Sequence, residues 1–147
     1  MIDPPDISSA IYETILADAF VQTNLPVYLG ALTVFTRRPV LPDAPYPMIV
    51  VEPDIVDTDV GGLNFKQLRI IKDINVYGNN ETSSQYRVVE QLAYEIFNLF
   101  HRNRFSIEIP SWFTARVWCQ GPHAVPSDDD MRVGRVISVS TELVQLL

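Results

Sequence analysis

This sequence predicts an α+β fold: an antiparallel or mixed β-sheet with a long β-hairpin, and two α-helices packed on one face. Three observations carry that expectation. Two stretches place apolar residues at helical spacing, near residues 6–21 and 83–102. Between them, apolar residues at strand spacing flank a Gly61-Gly62 pair. After the second stretch come three short segments of strand composition, giving the order α, β, β, β, α, β, β, β.

The first helix is expected from Asp6, a candidate N-cap beside Ser8 and Ser9, to Phe20 or Val21. Ile7, Ile11, Ile15 and Ala19 recur every four residues, and Tyr12, Leu16 and Phe20 widen the stripe. Pro26 disfavours helix at the residue before it and marks the exit. Ala31 to Thr36 has strand composition, with Gly30 as a bend before it. Pro39, Pro42, Pro45 and Pro47 then make a stiff, extended loop.

The hairpin starts with Met48-Ile49-Val50-Val51-Glu52 and returns over Gln67 to Tyr77. A two-residue turn at Gly61-Gly62 would set Val60 opposite Leu63. The same register sets Asp57 opposite Lys66, Asp54 opposite Arg69, Ile55 opposite Leu68 and Ile49 opposite Ile74. Two charge pairs and two apolar pairs follow from one assumed turn. Pro53 lacks an N–H and points to an edge or a bulge. Leu68, Ile70, Ile74 and Val76 share a face that Lys72 interrupts; Arg69, Asp73 and Asn75 mark the wetter face.

The second helix is expected over Ser83 to Arg102, with Thr82 and Gln85 as a capping box. Val89, Leu92, Ala93, Ile96, Phe97, Leu99 and Phe100 form its apolar side. Phe105 to Ile109 is a short strand candidate, and Thr114 to Gln120 another, with Ala115, Val117 and Cys119 on one face. Gly121 to Asp130 reads as a loop and Met131 to Val144 as the last strand.

The 147 residues suit one domain, 1–147, able to enclose one core. Hydrophobic content of 47% and charged content of 20% are ordinary for a globular chain. No apolar run approaches membrane-spanning length. The acidic, proline-rich start Met1-Ile2-Asp3-Pro4-Pro5-Asp6 is unlike a secretory leader, so an intracellular chain is expected. A net charge of −7 argues against general affinity for nucleic acid.

Chemistry-bearing patterns are sparse. His101 and His123 lie in no metal-ligand spacing, and Cys119 falls at an apolar strand position, where a buried thiol is expected. Gly61-Gly62 precedes a strand and so offers no helix N-terminus to a phosphate. Asp128-Asp129-Asp130 lacks the alternation and glycine of a calcium loop and reads as a solvated turn. Arg37-Arg38 reads as a solvated strand end, or a contact for phosphate or an acidic partner surface. Trp112 and Trp118 suit either core burial or an interface. No enzymatic role, cofactor or metal is expected. The rival readings are a ligand-binding domain with Trp112 and Trp118 lining a pocket, and a small enzyme using His123 and a carboxylate of Asp128 to Asp130.

The pattern resembles the tail-terminator, or tail-completion, family of long-tailed bacteriophages and gene-transfer particles. The residues that carry the resemblance begin with the helix from Ile7 to Phe20 and the strand start Pro45-Tyr46-Pro47-Met48-Ile49-Val50-Val51. They continue with the return strand Leu68 to Tyr77, the polar turn Gly78-Asn79-Asn80-Glu81-Thr82, the helix from Ser84 to Arg102 and the closing strand Arg135 to Leu143. The match spans most of the chain and is weakest over residues 104–130.

The resemblance implies a structural virion protein, assembled in the host cytoplasm, that forms a homo-oligomeric ring, usually a hexamer. Such a ring sits at the head-proximal end of the tail tube, ends tube polymerisation and joins the tail to the head connector. Its implied partners are the tail tube protein and a head-completion or connector protein. DNA would pass through without specific binding, and no membrane is involved. A head-closure or other neck protein is the nearest alternative. In such a ring, the expected interface residues are Asp54, Asp57, Gly61, Gly62, Lys66, Arg69, Arg37 and Arg38. Asp57, Asp59, Asp128, Asp129 and Asp130 are the expected lumen-facing residues, because a lumen that repels phosphate lets DNA slide.

Overall fold

The computed structural model of the chain describes residues 6–37, 40, 42–59, 64–79, 83–124 and 132–146; the side chains of 56–59, 83, 84 and 132 lie outside that description. Three helices pack on one face of a mixed sheet, as the α+β expectation requires.

The first helical stretch is two helices, α1 (Ile7–Ala17) and α2 (Ala19–Asn24), where one was expected. Asp6 caps α1 as anticipated, its carboxylate accepting the Ser8 N–H at 3.0 Å. The break falls at Asp18, whose backbone is extended (φ −77°, ψ 128°) and whose carboxylate accepts the Val21 N–H at 3.1 Å. A second capping residue mid-stripe therefore restarts the helix. Ile7, Ile11 and Ile15 are buried, whereas Ala19, beyond the break, is exposed.

A tight hairpin of β1 (Val27–Tyr28) and β2 (Ala31–Leu32) follows, turning through Leu29 and Gly30 at φ 52° and 84°. Strand β3 (Val34–Phe35) then runs parallel to β4 (Met48–Val51). The Ile49 N–H donates to the Thr33 carbonyl at 2.9 Å, and the Thr33 hydroxyl donates to the Pro47 carbonyl at 2.8 Å. All four residues of β4 are buried. Ile49 and Val51 join the main core; Met48 and Val50 are covered on the other face by Tyr28, Phe35, Val40 and Tyr46.

The hairpin arms are β5 (Ile55–Asp59) and β6 (Phe65–Asn79), and the expected register is not the one formed. Ile49 pairs with Val76, not Ile74, and Ile55 pairs with Ile71, not Leu68. Arg69 lies opposite Thr58, not Asp54. Two irregularities each insert one residue into the outgoing arm: the break at residues 52–54, around Pro53, and a bulge between Val56 and Thr58. Asp57 falls at the bulge between the Val56–Ile70 and Thr58–Arg69 pairs, so it does not stand across from Lys66, which faces Gln145 of β8 (Arg132–Leu146) on the other side of β6. Gly61 and Gly62 lie outside the described residues.

Strand β6 runs two residues past the expected end, so Gly78 and Asn79 belong to the sheet and not to a turn. A Cβ on Gly78 would come within 2.5 Å of Val89 Cγ2 and 3.3 Å of Val133 Cγ1. The missing side chain lets α3 (Ser83–Phe100) seat closely on the strand. Gln85 reaches back to the Asn79 N–H at 2.6 Å; Thr82, its expected capping partner, lies outside the described residues. Val89, Leu92, Ala93, Ile96 and Phe100 are buried against β6 and β8 residues such as Ile70, Ile74, Ile137 and Val139.

Residues 105–109 form no strand: Arg104–Ser106 is a single 3₁₀ turn, closed by the Ser106 N–H on the Asn103 carbonyl at 3.1 Å. Strand β7 (Phe113–Ala124) continues through Gly121 and Pro122, where a loop was expected. A bulge between Thr114 and Arg116 moves Ala115 to the exposed side and puts Thr114 inward beside Val117 and Cys119. A second irregularity spans Gln120 to His123, and there Gly121 adopts φ 103° with a Cβ position only 2.7 Å from the Val136 carbonyl oxygen. The main sheet has the order β3-β4-β6-β8-β7, with β5 also on β6.

Candidate assembly surface

The sheet places its open groups at two sides. On one side, β3 and β5 are the outermost strands; on the other, β7 is. Near its middle, the free edge of β7 is already used. The Arg102 N–H donates to the Val117 carbonyl at 3.0 Å, and the Cys119 N–H donates to His101 Nδ1 at 3.0 Å. The turn after α3 thus covers the edge that strand addition would need there. His101 is held in place by Phe97, stacked at 4.6 Å, and by Trp118, edge-on at 4.4 Å. Burial first, then the Arg102 and Arg116 charges, push its pKa below the ordinary 6.5, consistent with a neutral ring that accepts a hydrogen bond.

On the hairpin side, the expected interface charges have partners within the chain. Asp54 meets the Lys72 ammonium. Arg69 pairs with Glu142 at 3.6 Å, both partly exposed, a contact worth little by itself. Asn75 donates to Glu52 at 2.9 Å, and Ser138 to Asp73 at 2.6 Å, so the face away from the helices carries a half-buried polar network. Ile55, 57% exposed, opens β5 with an apolar side chain at the surface. Lys66 is half-buried and Arg37 exposed. Arg38, Gly61, Gly62 and Asp128 to Asp130 lie outside the described residues; Asp57 and Asp59 lie in β5, their side chains outside the description.

Among the described residues, those weighed for chemistry do not converge; Asp128 to Asp130, weighed with His123, lie outside the description. His123 is exposed on β7, four residues beyond Cys119, whose N–H His101 accepts. Cys119 is buried, and burial pushes its thiol up to about 12, too high for a nucleophile at neutral pH. Among the described residues, no three His, Cys, Asp or Glu side chains are placed to hold a metal, and no helix is long and apolar enough to cross a membrane. Trp112 lines an open groove of about 490 Å³ with Arg104, Phe105 and Phe113; Trp118 does not, and lies beside His101 instead.

One cluster escaped the sequence reading. Arg102 and Arg116 lie over the Trp118 ring, 4.9 and 4.6 Å from its centroid, and Arg104 lies 4.8 Å from the Phe105 centroid and 5.5 Å from that of Phe113. The Arg116-Val117-Trp118 alternation was visible, but the return of the α3 end onto it was not.

No protein-family model matches the chain, and no curated protein matches it. Among solved structures, it is similar to a chain in the virion of a native gene transfer agent particle. That match has a TM-score of 0.73 at 13% identity and covers 94% of each chain. A second solved chain, whose designation states no role, matches with a TM-score of 0.53 at 16% identity, covering 97% of this chain and 94% of that one. At such identities the likeness is one of fold: hairpin, helices and closing strands share an arrangement with a virion component along nearly their whole lengths.

Proposed function

We propose that this protein is a structural virion subunit that forms a ring, six-fold in the simplest reading, at the head-proximal end of a tail tube. There it ends tube polymerisation and joins the tail to the head connector. The observation that carries the reading is the fold shared with a gene transfer agent virion chain over 94% of both lengths. The chemistry agrees: among the described residues the surface offers an open sheet side and arginines gathered over aromatic rings, and no catalytic set converges there.

In this ring the hairpin arm β5, with Asp57 and Ile55, together with Gly61, Gly62 and Lys66, meets a neighbouring subunit, and Arg37 and Arg38 contribute to the same contact. Asp54 and Arg69 contribute less than their charges suggest, because Lys72 and Glu142 already engage them. Asp57, Asp59 and Asp128 to Asp130 face the lumen and keep DNA from binding as it passes.

The deciding experiment is a reconstruction of the particle that carries this chain, with a deletion of its gene. The reading expects density for the chain at the tube end nearest the head, and tails of uncontrolled length without it. Density in the head-closure ring with tail length unchanged would instead make it a connector protein, and a location outside the particle would sink both readings.

A further inference from the structure

The β1–β2 hairpin ends in an apolar tip that its own fold does not use. Leu29 and Gly30, at φ 52° and 84°, make a two-residue turn with both residues left-handed. Asn-Gly suits such a turn, whereas the Cβ of a leucine is strained there. The Leu29 side chain is 81% exposed, and Val27, two residues before it, is 67% exposed. Single exposed apolar residues are common on protein surfaces. One that also strains the backbone, and buries little in its own chain, points to a contact outside that chain.

At the start of β7 lies the open groove of about 490 Å³, lined on its apolar side by Phe105, Ile109, Trp112 and Phe113. Its walls are tied down. The Thr114 hydroxyl donates to the Ile107 carbonyl at 2.6 Å, the Trp112 N–H to the Ile109 carbonyl at 3.1 Å, and the Gln145 amide to the Ser111 carbonyl at 3.2 Å. Ser111 is itself left-handed, at φ 68°. Phe105 and Phe113 remain 70% and 58% exposed, so a pinned loop holds apolar surface open. A preformed groove of this kind takes an apolar group with little ordering cost.

Position and charge relate the tip to the groove. Tyr28 of the β1–β2 hairpin packs with Phe35 of β3 against Met48 and Val50, which sets the tip at the β3 side of the sheet. The groove stands at the β7 side, the opposite one. Asp43 lies against the hairpin, its carboxylate accepting the Tyr28 hydroxyl at 2.6 Å, and Arg37 follows β3. Arg104 and Glu108 line the groove. Each side thus offers one cation and one anion, all four exposed. Among the described residues none of the four is in an ion pair.

We propose that the tip formed by Val27 and Leu29 in one copy seats in the Phe105–Trp112–Phe113 groove of the next, with Asp43 toward Arg104 and Arg37 toward Glu108. The contact joins opposite sides of the subunit, so it is head-to-tail and can close a ring. Side chains carry it, because His101 and Arg102 already cover the β7 edge near Val117. The proposal rests on the ring reading above and adds to it the surfaces that meet.

Cross-linking tests the contact directly. The full chain carrying Leu29→Cys and Phe113→Cys together should, on mild oxidation, give a ladder of disulfide-linked multimers. Either change alone should stop at dimers. Sedimentation velocity gives a second readout. Leu29→Asn supplies the residue that the turn prefers, so it should keep or raise the melting temperature. The same variant should raise the midpoint concentration for self-association by about ten-fold or more. Phe113→Ser should weaken association to a similar extent with unchanged circular dichroism. A parent chain that stays monomeric and a double variant that gives no ladder would overturn the proposal. So would a Leu29→Asn variant that associates like the parent, which would leave the tip idle. Loss of association with Phe113→Ser alone would also overturn it and give the groove to a different occupant. Particles that carry Leu29→Asn and keep normal tails remove this contact while the ring reading stands. Absence of the chain from the tube end removes the ring reading itself.

Discussion

Lys72 sits in the middle of the core face of β6, 1% exposed, and its ammonium is met by Asp54 from the break between β4 and β5. The two residues solve each other's problem. Lys72 alternates with Ile70 and Ile74 and so must point inward, where an unpaired charge would be costly. Pro53, unable to donate to a ladder, coincides with the interruption that brings Asp54 to it. Asp54→Ala should therefore cost about 3 kcal/mol in urea denaturation, by leaving a buried ammonium without a partner. Lys72→Met should leave stability within about 1 kcal/mol of the parent or raise it, because Asp54 keeps 31% of its side-chain exposure and can be solvated. Equal losses for both changes would show that the pair is not asymmetric in this way.

Gly78 leaves the space that the Val89 side chain of α3 fills: a Cβ at Gly78 would lie 2.5 Å from Val89 Cγ2. Gly78→Ala should destabilise by about 1–3 kcal/mol, since Val89 is fully buried and has little room to move. The double change Gly78→Ala with Val89→Ala should cost less than the two single losses added together. Additive losses in denaturant melts would mean that the methyl finds space elsewhere.

The neutral His101 ring that accepts the Cys119 N–H makes stability fall in acid. Its folded pKa is depressed below 6.5, so the unfolded chain takes up this proton first as pH falls. The contribution is fully present above the unfolded value and is lost as pH falls through the folded one. Urea midpoints at pH 7.5 and about pH 5, compared between the parent and His101→Gln, should show a smaller acid loss in the variant. Titration of the ring by nuclear magnetic resonance should give a pKa below the ordinary value; a raised one would contradict the hydrogen-bond geometry.

Glu95 has the opposite sign. Its folded pKa is raised by burial and by Asp18, so the carboxylate opposes folding once pH rises through that pKa. Glu95→Gln should stabilise the monomer by a few tenths of a kcal/mol at neutral pH, and by less near pH 4. Thermal melts of dilute protein at both pH values measure this; a gain that grows in acid would reverse the assignment.

Periodicity made the helical stripes legible: Ile7, Ile11 and Ile15, and the face from Val89 to Phe100, are buried as the four-residue spacing requires. Strand alternation likewise gave the inward set on β8, from Val133 through Ile137 and Val139 to Leu143. Asp6 announced its capping role by type and position, and Cys119 its burial. Register was another matter. Charge complementarity favoured Asp54 with Arg69 and Asp57 with Lys66, but each such pair contributes well under about 1 kcal/mol. Burying Lys72 without Asp54 would cost several times more, and the pairing that satisfies it fits the shifted ladder. Likewise Asp18 was compatible with a continuous helix until its carboxylate found the Val21 N–H.

Sequence alone thus determined the two helical stripes, the hairpin arms and the closing strand in their order, and the buried sides of α1, α3 and β8, because those depend on neighbours a few residues away. Tertiary structure decided the register of the hairpin, the continuation of β7 through Gly121-Pro122, the closing of its edge by His101 and Arg102, and the gathering of Arg102, Arg104 and Arg116 over aromatic rings. Those features join residues distant in the chain. Their energies are settled by desolvation and packing in the assembled core, which no local pattern records.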